Sequence, residues 1–206
     1  MWRNKRKGLA HVFYKDRLSI LLDNLKDYVL KRQAGWLKSI ASSPDGSAKI
    51  DISREFMELL QKYLMHIMFG TDIDDSYEVP LLVRNSSYDS YREQKTSISE
   101  AIEYSFEEAL DAIPNRMPNY FLCRGKWPFA MSKTEKINNE NCAATRDAIR
   151  DYVRKRVSGE CKSDVAGNSD ILSAMLESSE IFDEDDVIDE LMDLMLAGTQ
   201  TTHNTT

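Results

Sequence analysis

Over three long stretches of this chain the apolar residues return every three or four positions, the spacing of one face of an α-helix. Asp16–Ile40 carries Leu18, Leu21, Leu22, Leu25, Val29 and Leu30 on one side, and "SSPDGS" stops it. Asp51–Phe69 has an inner stripe of Phe56, Leu59, Leu60, Tyr63, Leu64 and Ile67. Asp183–Thr206 opens on acidic turns, where the helix dipole favours negative charge. Its broad apolar face is Val187, Ile188, Leu191, Leu194, Met195 and Gly198, with Asp183 as the expected N-cap. With only 8 Gly and 5 Pro in 206 residues, the pattern predicts an all-α chain with no convincing strand pair.

Four more stretches bring the expected helices to seven. Trp2–Val12 is short and basic, and Thr96–Ile113 is amphipathic and ended by Pro114. Ser132–Val157 is long and polar, and Ser169–Glu177 is short. Residues 70–95, with Pro80, read as a polar loop, and "SGECKSDVAGNS" as a flexible one. Residues 114–131 form an aromatic and Pro-rich connector with Tyr120, Phe121, Trp127 and Phe129, for which a satellite core is one reading. No run of 18 apolar residues exists, so no membrane-spanning helix is expected. The "WRNKRKG" after Met1 is not a secretory leader.

The net charge of −7 is unevenly spread: the chain after Lys162 holds eleven acids and no Lys or Arg, leaving +4 for the rest. Residues 1–17 hold six basic groups against one acid. Nucleic acid is therefore not an expected partner, whereas the basic N-terminal face suits an acidic protein. Cys123, Cys142 and Cys161 are few and far apart, which suggests reduced intracellular thiols. His11, His66 and His203 lack a second ligand at i+3 or i+4, so no metal site is expected, and His66 reads as a core residue. Phosphate-binding glycine loops, GxSxG and HExxH are all absent.

The chain closes on "LMLAGTQTTHNTT", in which an apolar helix runs into Gly and five threonines. Gly costs a helix about 1 kcal/mol against Ala, and Thr is stiff at χ1. Two readings fit. Gly198 is a C-cap followed by a polar tail, or the helix continues, weakened so that something flat can approach its small residues and hydroxyls.

Near the other end, "WRNKRKGLAHVF" sets Trp2 and Arg6 four apart on one helix face, in a WxxxR spacing. With "DISREFMELLQKYLMHIMFG" and the "AGTQTT" of Ala197–Thr202 following in order, the chain resembles the cytochromes P-450, the haem-thiolate monooxygenases, from helix C into helix I. The resemblance implies a fragment of that mainly α fold. On it, residues 1–206 are a single partial domain, without the N-terminal sheet and anchor or the C-terminal haem-ligand region.

The resemblance also implies roles. Trp2 and Arg6 would hold a haem propionate, for which an indole N–H and a guanidinium are suitable donors. Ala197 and Gly198 would lie over the haem face, where a bulky side chain would block dioxygen. Thr201 matches the oxygen-activating threonine, and Gln200 stands where the family usually has an acid. An amide cannot shuttle a proton as a carboxylate can. The thiolate motif FxxGxxxCxG and the ExxR helix are not found. An NADPH-dependent reductase or other redox partner would dock at Arg3, Lys5 and Lys7, and an apolar small molecule would be the substrate. The implied location of the full-length protein is the cytoplasmic side of the endoplasmic reticulum membrane. The alternative is a haem-free helical interaction module, or a truncated product without function.

Overall fold

The computed structural model describes residues 5–7, 10, 15–85, 90–109, 133–165 and 170–203, with the backbone alone for 15–18, 75 and 199–203. The chain divides into two compact units, Met1–Ile73 with Arg156–Thr206, and Asp74–Lys155.

In the first unit, α1 spans Lys15–Ser42, α2 Ile52–Phe69, α5 Ile171–Glu177 and α6 Glu184–His203. Helix α2 is the hub, packing against α1, α5 and α6. Asp51 caps its start, accepting from the Arg54 N–H at 3.2 Å. Gly70 ends it with φ 79°, its N–H donating to the His66 carbonyl at 2.9 Å. The deepest burial on α2 is towards its C-terminal end, at Met65, Ile67, Met68 and Phe69. Facing residues in the core are Leu172, Met175, Val187, Ile188, Leu191 and Met195.

Helix α1 is covered on one side only. Leu21 is buried and its carbonyl accepts from the Tyr63 hydroxyl at 2.9 Å, whereas Leu22, Val29 and Leu30 of the expected stripe are exposed. The spacing located the helix correctly and overstated how much of it is buried. The Phe56–Leu64 part of the α2 stripe is likewise only half-buried.

In the second unit the expected loop over residues 70–95 is corrected. Val79–Arg84 (β1) and Tyr91–Thr96 (β2) pair antiparallel, with Val79 opposite Thr96 and Arg84 opposite Tyr91. The β2 sequence "YREQKT" is mostly exposed and carries no apolar alternation, so only its partner reveals it as a strand. Val79 and Leu81 turn inward, with Ile98, Ala101 and Ile102 of helix α3 (residues 98–109) also in the core. The rest of the expected Thr96–Ile113 helix and the connector 114–131 lie outside the described residues. Helix α4, Lys133–Ser158, buries a polar line: Glu135, Asn138, Asn141 and Thr145, then Ile149, Tyr152 and Val153. The hairpin explains it in part, because Asn141 accepts from the Leu82 N–H at 2.8 Å and donates back to its carbonyl at 3.0 Å. That amide takes the place of a third strand at one residue.

Candidate functional site

The residues singled out by sequence lie at two points of the first unit, the basic segment around Arg6 and the last turns of α6. Residues 5–7 are helical, with Arg6 and Lys7 exposed. Trp2 and Arg3 lie outside the described residues, so the Trp2–Arg6 pair is not seen as a pair. Lys5 forms an ion pair with Asp186 in the first turn of α6. The hydrogen bond holds the Lys5 ammonium above its ordinary range and the Asp186 carboxyl below its own. Sequence reasoning assigned Lys5 to the surface. The acidic run 183–186 signalled that a cation would be drawn there, but not which one.

Helix α6 begins as expected, with Asp183 accepting from the Asp186 N–H at 2.7 Å. It does not stop at Gly198: the backbone stays helical to His203, so the C-cap reading is set aside. Propensity lost to context here, since packing of the preceding turns on α2 carries the helix through residues that would not start one.

The two small residues have different surroundings. A Cβ on Gly198 would come within 3.1 and 3.2 Å of the Leu64 δ-carbons, so this glycine lets α6 approach α2 closely. Ala197 is exposed and presents only a methyl group. Thr201 stands four residues on, one turn along the same helix face as Ala197, and Gln200 is offset from it. The side chains of Gln200 and Thr201 lie outside the described atoms.

Two described features suit a flat, carboxylate-bearing group such as a haem: Ala197 is exposed and brings only a methyl at its position on α6, and Arg6 is exposed and carries a guanidinium, a suitable donor to a carboxylate. Of the three cysteines, Cys142 on α4 and Cys161 just after it are free and half-buried, and Cys123 lies outside the described residues. Among the described residues no group of three His, Cys, Asp or Glu could hold a metal. No described helix is long and apolar enough to cross a membrane.

His66 is only half-buried, against the Tyr28 ring at 5.6 Å, rather than in the core as expected. Burial pushes its pKa down, Lys31 adds to that, and Asp164 and Asp170 oppose it. No local signal foretold the buried ion pair between Arg156 and Asp170, at 3.0 Å. Asp170 preceding a short apolar run was a readable N-cap; its partner 14 residues back was not.

Among the described residues, cavities of about 440 and 600 Å³ lie along α1 and α2, and one of about 540 Å³ lies beside α5. A family model described as cytochrome P-450 matches residues 1–206. No curated protein matches the chain significantly.

Proposed function

Because the chain belongs to the cytochrome P-450 family, we propose that it is the central helical part of a haem-thiolate monooxygenase that oxidises an apolar small molecule with dioxygen. The observation that carries this is the unbroken run of α6 through Ala197–His203, with Ala197 open on one side. When bound, the haem supplies the dioxygen chemistry. The chain supplies position and protons.

Arg6 and Trp2 would hold a propionate through guanidinium and indole N–H donors. Ala197 keeps the α6 face low enough for a ring to lie against it, and Gly198 secures the packing of α6 on α2. Thr201, one turn on, offers a hydroxyl that both accepts and donates, which is what passing a proton from water requires. Gln200 can orient a water but cannot carry its proton. We assign the redox partner, an NADPH-dependent reductase, to the basic segment of Arg3, Lys5 and Lys7, in which Lys7 is exposed. Lys5 contributes less there because Asp186 already neutralises it. We assign the full-length protein to the cytoplasmic face of the endoplasmic reticulum membrane.

Product formed per NADPH consumed tests the reading in the full-length enzyme. Positioned proton transfer typically contributes about 10²–10⁴-fold in rate. Thr201→Ala should therefore divert reducing equivalents to peroxide while substrate still binds. Gln200→Glu should raise turnover if the amide limits proton supply. Unchanged coupling in Thr201→Ala removes Thr201 from the reaction. For the 206-residue chain itself, haem reconstitution should give no thiolate-type reduced-CO band, because no cysteine has the FxxGxxxCxG context.

A further inference from the structure

The cavity of about 540 Å³ beside α5 is built differently from the two along α1 and α2. Arg156, at the end of α4, lines it with a side chain only 5 % exposed. Its Nη2 donates to Asp170 Oδ2 at 3.0 Å and to Ser173 Oγ at 2.7 Å. Its Nη1 is closed off from solvent and has no acceptor among the described residues. Asp170 is engaged elsewhere. Oδ1 accepts from the Ser173 N–H at 2.7 Å, and Oδ2 already takes Arg156 and the Ser173 hydroxyl. A cationic donor buried without an acceptor is rare and costly, and points to a missing partner.

The same cavity holds two more donors. Ser163 Oγ accepts from the Val165 N–H at 3.1 Å, and among the described residues no acceptor takes its own proton. Lys162 lines the cavity, is exposed, and has no carboxylate partner among the described residues. In formal charge Asp170 balances Arg156 and Glu177 balances Lys162, so the lining is neutral overall, and a singly charged anion is disfavoured less than a dianion. We infer that this cavity binds a small monocarboxylate, one oxygen completing Arg156 Nη1 and the other facing Ser163 and Lys162. The site is independent of the haem-facing residues of α6.

Cys161, a free, half-buried thiol on the same lining, provides the readout. In the 206-residue chain it is alkylated with iodoacetate, the thiolate displacing iodide, and with neutral iodoacetamide, and peptide mapping follows each cysteine. Cys142, half-buried on α4, is the control. A bound carboxylate predicts that iodoacetate labelling of Cys161 saturates at reagent concentrations on the order of millimolar. Propionate should slow it at least about tenfold and propionamide should not. Lys162→Gln, at an exposed position, should weaken saturation with the fold intact, and Arg156→Lys should do so more strongly. Labelling of Cys161 that rises linearly with iodoacetate, as at Cys142, or equal protection by propionamide, overturns the inference.

Discussion

Replacing Gly70 by Ala should be among the most damaging single-methyl changes this protein can suffer. Gly70 has φ 79°, and a Cβ there would clash with Ser163 Oγ and lie 2.9 Å from Ser163 Cβ and 2.9 Å from Asp170 Oδ2. The hydroxyl could rotate away, but Ser163 Cβ moves only with its backbone. That backbone is pinned, since the Asp164 N–H donates to the Gly70 carbonyl at 2.7 Å. A left-handed alanine costs about 1 kcal/mol or more. Losing the pinning hydrogen bond adds about 1 kcal/mol, and overpacking against Ser163 and Asp170 adds about 1–3 kcal/mol. The sum, about 3–5 kcal/mol, is a large part of the 5–15 kcal/mol typical of a folded domain. Gly46 and Gly159 are controls, with φ 66° and 81° and nothing within 4 Å of an added Cβ. Ala at either should cost only the left-handed term, about 1 kcal/mol. Urea unfolding followed by far-ultraviolet circular dichroism separates the three variants. If Gly70→Ala costs no more than Gly46→Ala, the clamp between the end of α2 and the 163–170 segment does not exist as described.

Asp170→Asn keeps the cap on α5 but strips Arg156 of its counter-charge, and should cost about 3–5 kcal/mol in urea unfolding; a loss under 1 kcal/mol would show that the pair is not buried. His66, with its folded pKa pushed below the ordinary value of 6.5, contributes stability that is present above that pH and lost as pH falls through it towards the folded value. His66→Gln should flatten this slope between about pH 7 and 5, and a proton titration placing His66 above 6.5 would refute it. Asp74, which accepts from the Ser99 N–H at 3.1 Å, has its carboxyl pKa raised by burial. Its protonated form is favoured in the fold below the ordinary 3.8, and that advantage fades as pH rises through the folded pKa. Asp74→Asn should therefore gain on the parent between about pH 4 and 7, and a variant that instead loses ground over that range would sink the reasoning.

The helices were legible in the sequence because their information is local. Apolar spacing of three and four and Asp183 as a cap each act within a turn or two, and the structure has α2 and α6 where those signals put them. Membership in the cytochrome P-450 family was also legible, since it rests on motifs in order along the chain. What the sequence could not determine depends on partners distant in the chain. "YREQKT" is a strand only because "VPLLVR" lies beside it, and Asn141 is buried only because Leu82 needs its amide. Gly198 stays inside a helix because Leu64 stands against it, and Lys5 leaves the basic surface because Asp186, 181 residues away, takes its charge. Arg156 and Asp170 show the same thing most sharply: alone, Arg156 reads as an ordinary surface charge and Asp170 as a helix cap, and only tertiary burial makes them a pair. Periodicity encodes which face of a segment avoids water; which neighbour covers that face is decided when the chain closes on itself.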